Sequence, residues 1–89
     1  MLDIVTTKQF EKDVKTAKRR GKNTIKLRHV MEVLLNQEKL PLRHRNHLLN
    51  GNYADRRECH IEPDWLLIYK LESDCIIFER TGTHSDLFK

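Results

Sequence analysis

The feature that most constrains the fold is the run Trp65-Leu66-Leu67-Ile68-Tyr69-Lys70-Leu71. It is apolar at odd and even positions alike, as expected of a central strand buried on both faces. Two further strand signals flank it. Arg56–Ile61 alternates, and Ile76–Thr81 is β-branched and aromatic in character. Glu62-Pro63-Asp64-Trp65 is a turn signal with Pro at its second position, and Glu72-Ser73-Asp74 is another. Consecutive strands with short turns predict an antiparallel meander.

The N-terminal half has a different period. Met1–Thr6 alternates and suits a short strand. Thr6 and Gln9 match the capping-box spacing, so a helix is expected from about Thr7. Phe10, Val14 and Ala17 recur at helical spacing, Lys18-Arg19-Arg20 suits the negative end of the helix dipole, and Gly21 is a stop. Asn23 is a candidate cap for a second helix, whose buried face reads Leu27, Val30, Met31, Leu34 and Leu35. Pro41 ends any continuation, and Glu38–Asn52 reads as a loop holding Arg43-His44-Arg45-Asn46-His47. The expected architecture is α+β in the order β-α-α-β-β-β, with an antiparallel helical pair on one face of an antiparallel sheet. The other face can be open, and a site can sit there. Alternation on the last strand puts Ile76, Phe78 and Arg80 on one side, with Ile77 and Glu79 on the other.

Length and composition remove several classes of function. The 89 residues make one expected domain, 1–89, and 38% hydrophobic against 34% charged residues is polar but within globular range. No apolar run approaches the ~18 residues of a membrane span. The N-terminus lacks a charged-then-apolar leader pattern. Cys59 and Cys75 are too few for a disulfide scaffold and are read as reduced thiols of a cytoplasmic protein. Large multidomain enzymes, membrane spanners and secreted disulfide knots are excluded.

Charge gives the first functional hint. The net charge is +4, yet residues 1–51 carry 12 Lys/Arg against 5 Asp/Glu, and residues 52–89 carry 5 against 8. The basic half suits a polyanion such as nucleic acid or a ribosome, or an acidic protein. Chemistry-bearing residues collect in the other half: His60 and Asp64 flank one hairpin turn, and Arg80 and His84 flank the end of the last strand. His47 stands upstream, with Tyr53, Trp65 and Phe88 as aromatic company. These types suit RNA cleavage through the RNA's own 2′-hydroxyl. A histidine can act as base or acid near neutral pH, and an arginine offers a planar fork to phosphate oxygens. No metal or cofactor is required. A zinc site from His44, His47, Cys59 and His60 matches no closed-site spacing. Trp65 also reads as core and Asp64 as a turn residue.

Three segments carry a resemblance: His47-Leu48-Leu49-Asn50-Gly51, Arg57-Glu58-Cys59-His60-Ile61-Glu62-Pro63-Asp64-Trp65, and Glu79-Arg80-Thr81-Gly82-Thr83-His84-Ser85-Asp86-Leu87-Phe88. Together they resemble the YafQ branch of the RelE/ParE toxin superfamily, over nearly the whole chain. Leu48 departs from the Pro of many relatives, and Tyr53 from a common Trp. The resemblance implies a type II toxin that cuts mRNA in the ribosomal A site, leaving a 2′,3′-cyclic phosphate and a 5′-hydroxyl. It implies a cognate antitoxin as partner. His60, Asp64, Arg80 and His84 match the catalytic set, with His84 as general acid, His60 and Asp64 on the base side, and Arg80 on the phosphate. His47 and Phe88 would position RNA, with Trp65, Arg43 and Arg45 as further substrate-binding candidates. The toxin alone is expected to be a monomer. Two other readings stand beside it: a non-catalytic toxin of the gyrase-poison type, for which the His/Asp/Arg set has no use, and a plain basic RNA-binding module, which would tolerate loss of His84.

Overall fold

The computed structural model describes residues 1–88. Strand β1 (Asp3–Thr6) leads into helices α1 (Lys8–Arg19) and α2 (Thr24–Leu35). Then come β2 (His47–Leu48), β3 (Arg57–Glu62), β4 (Trp65–Leu71), β5 (Cys75–Gly82) and the single-turn helix α3 (His84–Leu87). The α1 cap falls one residue later than the capping-box spacing suggests. Thr7, not Thr6, accepts from the Phe10 N–H at 2.9 Å. Thr7 can do more there, because its hydroxyl also donates to the Glu79 carbonyl at 2.9 Å and ties the helix start to β5. Asn23 caps α2 as expected, accepting from the Ile25 N–H at 3.0 Å. Gly21 takes φ +78°, the left-handed conformation that ends α1 at little cost.

The sheet order is β1-β5-β4-β3-β2. The β3-β4-β5 meander is antiparallel as expected, but β1 runs parallel to β5. The sheet is therefore mixed at one edge. That pairing joins residues more than seventy positions apart, and no local pattern encodes its direction. The segment read as a loop supplies the other edge: β2 is only two residues, paired with Arg57 and Glu58, and too short to show a period.

Strand β4 is buried on both faces, as its composition requires. Trp65, Leu67 and Tyr69 join Phe10, Leu27, Val30, Leu34, Ile76 and Phe78 under the helices. Leu66 and Ile68 face the other way, where Leu87, Leu49 and Tyr53 pack on them. The far face is thus partly roofed by α3 and the 49–53 segment. The rest of that face stays open to solvent. Burial of this kind stabilises by roughly 1.5–3 kcal/mol for each large side chain.

A β-bulge corrects the expected parity of β5. Tyr69 pairs with Phe78 while Ile68 pairs with Arg80, so Glu79 has no opposite number. One extra residue reverses alternation beyond it. Arg80 therefore shares the far face with Ile68 and not the helix face with Phe78. Thr81 turns inward instead, accepting from Trp65 Nε1 at 2.9 Å and donating to the Leu66 carbonyl at 2.7 Å. Truncation of Leu67, which has no solvent exposure, to alanine should cost about 2–5 kcal/mol in urea denaturation. A loss below about 1 kcal/mol would contradict this packing.

Candidate active site

Strand pairing brings the site residues onto the far face. Directly opposed residues share a face, so Glu58, Ile68 and Arg80 form one row across β3, β4 and β5, and His60, Leu66 and Gly82 form the next. Leu66 and Ile68 make an apolar floor. Histidines and a carboxylate stand on one side of it and an arginine on the other. The strands are about 4.8 Å apart, so two strand spacings separate the banks by roughly 10 Å.

Helix α3 delivers His84 to this face. Its cap is reciprocal: Thr83 Oγ1 accepts from the Asp86 N–H at 3.1 Å, and Asp86 accepts from the Thr83 N–H at 3.0 Å. Arg20, at the end of α1, donates to Asp86 at 2.6 and 3.3 Å and binds the short helix to the domain's other layer. Gly82 suits this closeness, because a Cβ there would lie 2.9 Å from Asp86 Oδ2 and push on the capping side chain. At the head of α3 both His84 N–H groups converge on Asp64. The backbone N–H donates at 2.9 Å and ring Nδ1 donates at 2.6 Å, both to Oδ1. The backbone bond first, then the ring, holds the Asp64 carboxyl below its usual range. With Nδ1 committed, His84 presents Nε2 to the groove, and its side chain is 53% exposed.

His60 lies beside it, the two rings 5.7 Å apart and steeply inclined. His60 Nδ1 faces the Pro63 carbonyl at 3.3 Å, and Nε2 lies 3.3 Å from Glu58 Oε1. Glu58 Oε1 is also 3.9 Å from His47 Nε2. A buried carboxylate thus stands behind two histidines. His47 is aimed by its own Nδ1, which donates to the Arg45 carbonyl at 2.6 Å. Arg45 takes φ +46° to place that carbonyl. His44, buried, donates from Nδ1 to the His60 carbonyl at 2.6 Å and braces β3 from outside the groove. On the opposite bank Arg80 is held by Asp13, and Tyr53 meets Phe88 edge to face at 5.6 Å. Both Asp13 and, more weakly, Tyr53 push the Arg80 guanidinium pKa up.

Sequence reasoning brought most of this set together and misplaced part of it. His47, His60, Asp64, Arg80, His84 and Phe88 all lie around the far face. Asp64 bonds to His84 and not to His60, which stands with Glu58 instead. Trp65 is not a surface for RNA: it is 1% exposed beneath the helices, with its ring nitrogen bonded to Thr81. Arg43 and Arg45 are exposed on the 3-10 turn at Leu42–His44 and just beyond it, and line a concavity with His60 and Pro63. The zinc set is broken by alternation, since Cys59 pairs with Leu67 on the helix face while His60 faces the groove. Burial pushes the Cys59 thiol up to about 12, which keeps it protonated and inert. Glu58, His60 and His84 do bring ligand atoms within 4.8 Å of one another and could hold a metal ion. Glu58 is the residue sequence reasoning missed. Its signal was its position two before His60 on an alternating strand, which gives both the same face.

Comparison with known proteins places this fold among small bacterial toxins. A family model described as the bacterial toxin of type II toxin–antitoxin systems, YafQ, matches residues 2–89. The chain is 46% identical over 87 residues to the mRNA interferase toxin YafQ of Escherichia coli K12, covering 97% of this chain and 95% of that protein. It superposes on the crystal structure of YafQ from E. coli BL21(DE3) with TM-score 0.95 and 43% identity, each chain fully covered. The toxin in the E. coli DinJ–YafQ toxin–antitoxin complex matches with TM-score 0.92 and 45% identity, over 99% of this chain and 98% of that one. The protein belongs to the YafQ family of type II toxins.

The anchor of α3 gives a pH prediction. Arg20 first, then the Thr83 N–H, holds the Asp86 carboxyl well below its ordinary value of 3.8. A depressed carboxyl stabilises the fold fully above the ordinary value and loses that contribution as pH falls from it toward the folded value. Asp86→Asn should therefore lower Tm at pH 7, and the gap to wild type should narrow as pH falls below 3.8. Thermal melts at pH 7 and in acid check this; a gap that widens in acid contradicts it.

Proposed function

We propose that the protein cleaves mRNA held in the ribosomal A site, by attack of the 2′-hydroxyl on the adjoining phosphate. The observation that carries the reading is the Asp64–His84–His60 cluster facing Arg80 across an apolar floor. One histidine takes the 2′-hydroxyl proton as the oxygen bonds to phosphorus. The other protonates the departing 5′-oxygen as the phosphorus–oxygen bond breaks. The products are a 2′,3′-cyclic phosphate and a 5′-hydroxyl, with no net consumption of water or of a proton.

The His84 role follows from its uncommitted ring nitrogen, and the His60 role from its place beside His84 with a carboxylate at its Nε2. His84 is the general acid: Asp64 occupies Nδ1 and steadies the ring in both protonation states, and Nε2 points outward. His60 serves on the base side with Glu58 behind it, while Asp64 acts through His84. Arg80 meets the charge that gathers on phosphorus. His47 and the Tyr53–Phe88 pair flank the groove and hold the nucleotide.

Partners follow from charge. Lys12, Lys15, Lys18 and Arg19 stand exposed along α1 and suit the phosphates of ribosomal RNA. An antitoxin chain is the second partner, consistent with the complex that the E. coli relative forms. No helix among the described residues is long and apolar enough to cross a membrane. A toxin that acts on ribosomes works in the cytoplasm. Free of antitoxin it is a monomer.

The test is mRNA cleavage on programmed ribosomes, with the product ends mapped. Wild type should cut at the A-site codon and leave cyclic phosphate ends. His84→Ala should lose about 10²–10⁴ in rate while keeping its thermal midpoint and antitoxin binding. A fully active His84→Ala would overturn the assignment.

A further inference from the structure

We propose that Asp13 is a positioning residue for Arg80, fixing the guanidinium so that a set edge of it meets the RNA phosphate. The inference rests on the reading of Arg80 as the phosphate-binding group. It starts from a gap in the sheet. Strand β1 pairs with β5 only as far as Phe78, and the bulge follows at Glu79. Beyond that point the outer edge of β5 has no strand beside it, and the Thr81 N–H would be orphaned. Helix α1 fills the gap with a side chain. Asp13 Oδ2 accepts from the Thr81 N–H at 3.1 Å and from Arg80 Nε at 2.8 Å, while Oδ1 accepts from Arg80 Nη2 at 3.3 Å.

The arrangement is well shielded, with the Asp13 side chain 11% exposed and that of Arg80 25% exposed. A carboxylate gripping Nε and Nη2 fixes both the plane and the rotation of the guanidinium. Asp13 takes two of the guanidinium's five N–H groups and the Tyr53 hydroxyl also approaches it, so the N–H groups that remain can hold a phosphate. The bulge turns Arg80 toward the groove, and Asp13 sets its angle once there. The neighbouring pair Arg20–Asp86 does the corresponding work for α3. Pairing with Asp13 weakens the long-range pull of Arg80 on RNA, so what Asp13 supplies is orientation. Its loss belongs in the cleavage rate and not in ribosome binding.

The experiment is single-turnover cleavage of ribosome-bound mRNA as a function of protein concentration, for Asp13→Ala, Arg80→Lys and the double variant. Asp13→Ala should lower the maximal rate by about 10–100-fold and shift half-saturation by less than about 3-fold. In the Arg80→Lys background the same change should add less than about 3-fold, because the group it acts through is already altered. Asp13→Asn keeps an acceptor for the Thr81 N–H and supplies a folded variant if alanine does not; it should lose a smaller factor, again only when Arg80 is present. Losses that multiply in the double variant would make Asp13 merely structural and overturn the proposal. So would a wild-type rate for both Asp13 variants while Arg80→Lys is impaired. A wild-type rate for Arg80→Lys itself would instead remove the phosphate-binding role of Arg80, and with it the proposal's premise.

Discussion

Double-sided burial of β4 is the constraint on which the rest depends. Leu66, Leu67 and Ile68 have no solvent exposure, so the sheet must be covered on both faces. The helical pair covers one. The described residues hold no second pair of helices for the other, which is covered by the Leu49–Tyr53 segment and the single turn of α3. Such thin cover leaves part of the face uncovered. The groove between these covers holds His47, His60, His84 and Arg80, and α3 serves both as cover, through Leu87, and as the carrier of His84.

The site is built on rigid elements by small, well-bonded devices. The bulge at Glu79 turns Arg80 to the far face. The reciprocal cap of Thr83 and Asp86, tied to Arg20, sets the start of α3. Asp64, on the β3–β4 turn, then receives both N–H groups of His84 and commits the ring's inner nitrogen. A catalytic group needs positioning to within a fraction of an ångström, and these bonds come from the backbone or from side chains that themselves have partners. Glu58 is the exception in kind: a buried carboxylate whose near neighbours include two imidazoles.

Much of this was legible in the residues, and the limits have physical causes. The both-face apolar run gave β4 at its observed ends, and Asn23 and Gly21 marked helix boundaries, because these signals are local. The parallel partnership of β1 was not legible, since its residues are exposed and its partner is distant. Strand β2 was hidden in a loop because two residues carry no period. Simple alternation misplaced Arg80, because a bulge is written in the register between two strands and not in either alone. The histidines, Asp64 and Arg80 could be picked out by type and motif. Their pairing could not, because Asp64 is nearer to His60 in sequence and nearer to His84 in space. Trp65 looked like a stacking surface only while its face was unknown.

We propose that the groove on the far face carries out 2′-hydroxyl chemistry on RNA. The most direct measurement replaces the single A-site nucleotide 5′ of the scissile phosphate with its 2′-deoxy form, in an mRNA programmed on ribosomes with the wild-type protein. Cleavage at that bond should disappear while the protein still binds the complex, because the nucleophile has been removed and the contacts have not. Cleavage at an undiminished rate would contradict the proposal, since the attacking oxygen would then come from elsewhere.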